Sequence, residues 1–189
     1  IAEIAAFVQY CNDHVLQTEQ LTAEATYTCM SNTFAFGACF ADVEVDVPLG
    51  KVRVHKIVAV HDSGTIINPK LAAAQVHGGV AMGVGYALSE QLQYDKKNGR
   101  MLNDNFLDYK IPTCMDIPDI EVEFVETYEP SGPFGAKGLA EPPTIPQAAA
   151  VRNAILHATG VGAHALPMNP QNLVHAFINA GLIEKQVGE

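Results

Sequence analysis

Apolar and polar residues alternate most clearly in two consecutive segments of the chain. In residues 40–47 (FADVEVDV) valines alternate with acidic residues, which predicts a strand with one buried and one solvated face. Residues 48–50 (PLG) predict a turn. The return segment, residues 51–62 (KVRVHKIVAVHD), becomes continuously apolar at Ile57–Val60. We therefore expect a hairpin whose second strand is buried on both faces at its far end.

Three other segments carry weaker strand patterns. Residues 23–30 (AEATYTCM) and 120–128 (IEVEFVETY) alternate and contain residues that favour strands. Residues 91–94 (QLQY) precede a DKKNG turn, and residues 101–109 are a candidate continuation. These segments predict short strands in addition to the hairpin.

Periodicity and helix-capping residues predict four helices. Apolar residues recur every three or four positions in residues 1–19. An Asn-Pro pair, which is typical of a helix start, opens the predicted helices 68–90 and 169–181. A proline opens the helix 146–160, and a glycine ends each of the last two. The first of the Asn-Pro helices contains four glycines, which predict close backbone approach to a sheet, a helix or a ligand, with tight helix packing as the simplest cause.

The order of these elements indicates an α+β fold with mixed sheets and packed helices, because strands and helices do not alternate strictly. A length of 189 residues suits one domain, and we predict a single domain over residues 1–189. Only 17% of residues are charged against 48% hydrophobic, and the first residue is Ile1. We expect a portion of a larger protein whose surface is covered by the rest, with a trimmed ordinary domain as the alternative.

Charge and cysteine content exclude several classes of function. The net charge of −10 argues against nucleic acid and anionic membrane surfaces as partners, and no apolar run approaches the ~20 residues of a membrane span. No two of the four cysteines form a CxxC pair, and the seven histidines form no HExxH motif. We expect no metal ligand among the residues of this chain, and a reducing, cytoplasmic location.

Two glycine-rich segments resemble nucleotide-binding motifs but lack residues that those motifs require. Residues 78–85 (GGVAMGVG) lack the third glycine and the strand-to-helix turn of a dinucleotide fingerprint. Residues 132–138 (GPFGAKG) lack the Ser or Thr that follows the lysine of a P-loop. Neither segment predicts a nucleotide site.

The loop of residues 131–143 is nevertheless a candidate site. Its glycines permit tight turns, and its alanines permit close approach of backbone amides to a ligand. Glu141 precedes Pro142, which favours an extended conformation at Glu141. Partial desolvation would raise the pKa of this carboxyl group toward that of a general base. The alternative is an ordinary surface-loop glutamate, while Asp62 is expected to cap a turn.

Three segments together resemble the C-terminal part of the molybdopterin-binding subunit of the xanthine dehydrogenase/aldehyde oxidoreductase family. They are residues 61–69 (HDSGTIINP), 75–90 (QVHGGVAMGVGYALSE) and 134–155 (FGAKGLAEPPTIPQAAAVRNAI). The resemblance extends from residue 34 (FAFGACFADVEVD) through the last helices. Both the order and the spacing of the motifs match this family.

The resemblance implies roles for individual residues. The glutamate of the family's GxKGxGE-P loop is the catalytic base, which matches Glu141. The glutamine of the Q-x-x-G-G/A helix start contacts the pterin, which matches Gln75, although such a glutamine is otherwise a surface hydrogen bonder. The backbone before the glutamate lies beside the molybdenum centre, which implicates Lys137, Gly138, Leu139 and Ala140. Ala140 departs from the family pattern, in which glycine is common.

The implied activity is oxidative hydroxylation of an N-heterocycle such as a purine, with water as the oxygen source. The implied cofactor is molybdenum–molybdopterin, with its cytosine dinucleotide form left open, and 2Fe-2S and FAD groups would reside on partner subunits. Partners would be an upstream molybdopterin-binding chain or domain, an iron–sulfur subunit and an FAD subunit. The alternatives are an aldehyde or nicotinate-type hydroxylase, a non-catalytic assembly module, and a generic small-molecule-binding domain.

Overall fold

The computed structural model describes Glu3, residues 24–28 and residues 31–184. The chain divides into two units, Ile1–Met30 and Ser31–Glu189, and the elements described below lie in the second. The helix predicted over residues 1–19 lies, apart from the helical Glu3, outside the described residues. Residues 24–28 have no regular secondary structure, so the strand predicted over residues 23–30 is wrong there. β-propensity produces a strand only where a neighbouring strand pairs with it.

Among the described residues of the second unit, three strands form one sheet in the order β1-β2-β3, with β1 Phe36–Asp46, β2 Lys51–Asp62 and β3 Asp119–Phe124. Strands β1 and β2 pair antiparallel as the predicted hairpin, whereas β2 and β3 pair parallel. The turn ends at Gly50, which adopts a φ of 60° and donates its N–H to the Val47 carbonyl (3.2 Å). The sheet is therefore mixed, and the predicted α+β class is confirmed.

An irregularity in the hairpin explains the changing pattern of β2. The pairing shifts between Asp42 and Val43, which leaves one extra residue on β2. Before the shift Val54 is buried, and after it Ile57 and Ala59 are buried completely. Val58, between these two residues, and Val60, after them, are only half-buried. The prediction that the far end of β2 is buried on both faces is therefore only partly confirmed, because the described residues cover one face fully and the other in part.

In the part of the chain that the structure describes, three α-helices pack against the sheet or against each other. Helix α1 spans Pro69–Leu88, α2 spans Gln147–Thr159, and α3 spans Pro170–Asn179. The side chain of Asn68 accepts a hydrogen bond from Leu71 N (3.1 Å), and that of Asn169 caps α3 in the same way. The three predicted helices are confirmed, with α1 ending two residues earlier than expected.

The glycines of α1 are explained by packing. A Cβ atom on Gly79 would lie 2.7 Å from the Pro143 Cβ, and one on Gly83 would lie 2.5 Å from the Gln147 Cβ. A Cβ on Gly85 would lie 2.8 Å from the ring of Pro112. These three glycines let α1 approach α2 and the loop segments closely.

Two strand predictions were too long. Strand β3 ends at Phe124. Val125 N still donates to the His61 carbonyl of β2 (2.9 Å), and beyond it Thr127 turns its hydroxyl to Asp62 (2.7 Å). In the region after α1, Tyr94 and Met101 form a single antiparallel bridge around the predicted turn. Residues 102–109 form turns rather than a strand.

The core of the second unit lies between the sheet and the three helices. Its fully buried side chains come from all of these elements: Ile57, Ala59, Val76, Val80, Ala87, Val151, Ile155 and Phe177. Within the described part of the chain, every helix is too short or too polar to cross a membrane.

Candidate functional site

Three of the predicted site residues border one cleft of about 250 Å³. The cleft lies where the end of β2, the first two turns of α1 and the glycine-rich loop meet. Its lining residues are Ser63, Thr65, Ile66, Ile67, Asn68, Leu71, Ala72, Gln75, Ala136, Lys137 and Leu139. Gly138, Ala140 and Glu141 do not line it; they lie in the exposed stretch of the same loop.

Backbone hydrogen bonds attach the glycine-rich loop to the end of β2. Lys137 N donates to the Ser63 carbonyl (2.8 Å), and Thr65 N donates to the Gly135 carbonyl (2.9 Å). Gly64 adopts a φ of 69°, and a Cβ atom there would collide with the Gly135 carbonyl oxygen. Glycine is therefore required at position 64 both for its conformation and for the close approach of the loop.

The side chain of Lys137 turns away from solvent and forms an ion pair with Asp62. The Nζ to Oδ2 distance is 2.9 Å, and the two side chains are 7% and 17% exposed. Lys137 Nζ also donates to the Phe34 carbonyl (3.1 Å) and lies 5.5 Å from the centre of the Phe36 ring. The ammonium group is thus bound by protein groups, and Lys137 is also one of the residues that line the cleft.

Asp62 is held from three directions. Its Oδ1 accepts hydrogen bonds from Gly64 N (3.0 Å) and from the Thr127 hydroxyl (2.7 Å), and its Oδ2 accepts from Lys137. Burial alone would raise the pKa of Asp62, but these hydrogen bonds and the charge of Lys137 outweigh it and hold the pKa below its ordinary value. The expectation that Asp62 caps a turn is confirmed.

Glu141 differs from the sequence-based expectation in its backbone conformation. It has φ −83° and ψ −41°, the right-handed helical region, instead of an extended conformation. The cause is a short 3-10 helix, Pro142–Thr144, which Glu141 precedes and which is closed by a hydrogen bond from Thr144 N to the Glu141 carbonyl (2.9 Å). The residue is exposed, so the residues described here do not bury the carboxylate.

Residues 1–118 match the family model of the molybdopterin cofactor-binding domain. This match covers more than half of the chain. The chain belongs to the molybdopterin cofactor-binding domain family. The resemblance inferred from its motifs is thereby confirmed.

Individual relatives agree with this assignment. The xanthine dehydrogenase molybdenum-binding subunit of Escherichia coli O157:H7 is 51% identical over 164 residues, covering 87% of this chain and 22% of that subunit. The carbon monoxide dehydrogenase large chain of Afipia carboxidovorans is 33% identical over 164 residues, covering 87% and 18%. The crystal structure of the aldehyde oxidoreductase from Desulfovibrio desulfuricans matches with a TM-score of 0.69 and 38% identity, over 75% of this chain and 15% of that one. The chain thus spans about a fifth of the length of these curated relatives.

Within this molybdopterin cofactor-binding domain, sequence reasoning missed the residues that follow β2. Ser63 is 2% exposed, borders the cleft, and its hydroxyl has no hydrogen-bond partner among the described residues. Thr65 and Ile66 complete the same wall. Their position directly after a buried strand end was the available signal, since loops at strand ends commonly carry binding residues.

A second buried polar residue lies beside the site on β2. His61 is 1% exposed, and neither ring nitrogen has a hydrogen-bond partner among the described residues. Burial lowers the pKa of His61, so its ring is neutral near neutral pH. A Cβ atom on Gly37 of β1 would lie 2.7 Å from its Nδ1, which explains the glycine opposite this ring.

Proposed function

We propose that this chain supplies part of the cofactor pocket and the general base, Glu141, of a molybdenum hydroxylase. The proposed reaction is oxidative hydroxylation of an N-heterocycle such as a purine, with water as the oxygen source. The observation that carries the proposal is the shared cleft, because Gln75, Lys137 and Leu139 converge there beside the segment that bears Glu141. The 51% identity to a xanthine dehydrogenase subunit favours a purine over an aldehyde or nicotinate-type substrate.

The cleft suits a flat group with a polar edge, such as a pterin. Ile66, Leu71 and Leu139 offer apolar walls. The amide of Gln75 can both donate and accept hydrogen bonds. The buried Ser63 hydroxyl lacks a partner among the described residues, a state that costs ~1–3 kcal/mol and that a polar ligand edge would relieve.

The cofactor-binding residues in this proposal are Gln75 and the loop segment Lys137, Gly138, Leu139 and Ala140. Gln75 would act through its side chain. Lys137 would act through its backbone, since its ammonium group is bound to Asp62. A Cβ atom on Gly138 would have no described atom within 4 Å apart from those of Gly138 and its two chain neighbours, so this position is open to a ligand.

The residues of the chain have a limited set of tasks in this reaction. The bound molybdenum–molybdopterin group supplies the redox chemistry. Glu141 accepts a proton from the oxygen nucleophile, and a positioned general base contributes about 10²–10⁴-fold to a rate. The turn that starts at Pro142 fixes the backbone of Glu141 in the right-handed helical region.

The remaining components belong to the complete complex. We propose that an upstream molybdopterin-binding chain or domain closes the pocket over Glu141. Electrons would leave through 2Fe-2S and FAD groups on partner subunits, in a hetero-oligomeric complex located in the cytoplasm. Mass spectrometry of the purified complex would identify its subunits and would distinguish molybdopterin from its cytosine dinucleotide form.

The test is the Glu141→Gln variant in the complete complex. We expect xanthine turnover to fall by about 10²–10⁴-fold, because the amide cannot accept the proton. Molybdenum content should stay at the wild-type level. The exposed Glu123 of β3 provides the control, and Glu123→Gln should leave turnover unchanged.

Two outcomes would contradict the proposal. If a molybdenum-loaded Glu141→Gln complex turns over at the wild-type rate, Glu141 is not the base, and a non-catalytic assembly module becomes the favoured alternative. If the purified native complex contains no molybdenum, the hydroxylase assignment itself fails.

A further inference from the structure

We propose that the ion pair of Lys137 and Asp62 is a positioning device that holds the loop segment bearing Glu141 in place. Asp62 and Lys137 would then be positioning residues, acting on the reaction through Glu141. This inference rests on the proposed function, since it requires that the location of Glu141 matters for turnover.

The first part of the argument is the attachment of the loop at Lys137. This residue is held by its backbone, through the Ser63 carbonyl (2.8 Å), and by its side chain, through Asp62 Oδ2 (2.9 Å) and the Phe34 carbonyl (3.1 Å). Asp62 is itself fixed by Thr127 (2.7 Å). The pair therefore ties the loop to strand β2 and to the segments around both β1 and β3.

The second part is the attachment on the far side of Glu141. Pro143 is buried against α1 at Gly79, where an added Cβ atom would lie only 2.7 Å from the proline Cβ. Residues 138–141 lie between the two attachments, and apart from the half-buried Leu139 they are exposed. The position of Glu141 is thus set from both ends, by the ion pair before it and by the proline after it.

The third part is the burial of the pair. Removing one partner of a buried pair leaves an uncompensated charge, which the local structure must move to solvate. The sheet offers a contrasting pair, Lys56 with Glu121, whose side chains are each 49% exposed. An exposed pair contributes little to structure. Lys56→Met is therefore a matched control on the same sheet.

The experiment compares Asp62→Asn, Lys137→Met, their double variant and Lys56→Met in the complete, molybdenum-loaded complex. We expect kcat and kcat/KM for xanthine to fall together by about 10- to 100-fold, since displacement of a reacting group by about 1 Å can cost this much. The double variant should be no slower than either single variant, because both remove one interaction. Amide hydrogen exchange of a peptide covering residues 133–146 should be faster in these variants and unchanged in Lys56→Met.

Thr127→Val gives a milder version of the same test, because it removes one hydrogen bond to Asp62 and keeps both charges. The inference is overturned if a loaded Asp62→Asn or Thr127→Val complex has wild-type kcat and wild-type exchange. It is also overturned if only KM changes, if activity falls only in proportion to lost molybdenum, or if no variant assembles. A fully active Glu141→Gln complex would instead contradict the proposed function. The hydrogen-exchange result would then test only whether the ion pair fixes the loop.

Discussion

At Asp62, the tertiary environment adds contacts to the local role that the sequence predicts. The DSG sequence predicts that Asp62 caps a turn, and its carboxylate does accept a hydrogen bond from the Gly64 N–H. The same carboxylate also receives the Thr127 hydroxyl and the Lys137 ammonium, which come from segments 65 and 75 positions away. A residue that caps a local turn is therefore also the point at which three segments of the chain are joined.

The ionisation of Asp62 predicts a pH dependence of stability. The folded-state pKa lies below the ordinary value of 3.8, so the ionised carboxylate stabilises the fold fully above that value and loses this effect as pH falls through the lowered pKa. We expect the difference in unfolding free energy between wild type and Asp62→Asn to be largest near neutral pH and to shrink under strongly acidic conditions. Urea unfolding of both proteins at pH values from strongly acidic to neutral measures this difference in free energy. A difference that grew toward acid pH would contradict the assignment.

At the scale of elements, the close contact of α1 with α2 depends on residues that have no side chain. Gly83 lies against Gln147, which is fully buried at the start of α2. Gly79 lies against the 3-10 helix next to Glu141. The spacing of α1 from its neighbours is therefore set by glycines, and this spacing decides where the candidate base lies.

Substitution of Gly83 tests this packing. Gly83→Ala would place a Cβ atom 2.5 Å from that of Gln147, and overpacking of this kind typically costs ~1–3 kcal/mol. A Cβ atom on Gly78 of the same helix would have no described atom within 4 Å apart from the neighbouring residues and the backbone of α1 itself. Gly78→Ala should therefore be neutral or stabilising by up to ~1 kcal/mol through helix propensity. Thermal unfolding of the two variants measures the contrast, and equal effects would argue against close packing as the reason for Gly83.

At the scale of the whole molecule, much apolar surface is exposed. Phe106, Leu107, Met115 and Phe134 are each at least 79% exposed. Apolar patches of large side chains generally mark surfaces that contact other protein. This exposure agrees with the low share of charged residues, and with a chain that spans about a fifth of its curated relatives.

We expect the 189-residue chain, purified by itself, to self-associate and to have no xanthine turnover, because its apolar surface is uncovered and the proposed pocket lacks its other wall. Light scattering and binding of a hydrophobic dye test the first point, and an activity assay tests the second. A monodisperse, fully active chain would overturn this view and the proposed division of the pocket between two parts of the protein.

Local patterns of the sequence predicted most elements of the fold, because hydrophobic periodicity, turn residues and helix caps act between residues that are close in the chain. Alternating valines predicted the hairpin, and Asn-Pro pairs predicted the starts of α1 and α3. The strand at residues 120–128 was predicted too long, since alternation continues past the point where Thr127 turns toward Asp62. Glu141 was predicted to be extended, since the effect of Pro142 on its predecessor is a local preference that the following 3-10 helix overrides.

The sequence by itself determined the family of this protein and the identity of its candidate residues, because motifs and their spacing are properties of the chain. It also determined where most helices and strands begin, through periodicity and capping. Only the tertiary structure decided that Lys137, which lines the cleft, binds Asp62 through its ammonium group. It also decided that Ser63 contributes a buried hydroxyl with no hydrogen-bond partner among the described residues. These facts depend on the contact between the end of β2 and a loop that follows it by more than 70 residues in the chain. A contact between segments so far apart is created by packing and leaves no periodic pattern in either segment.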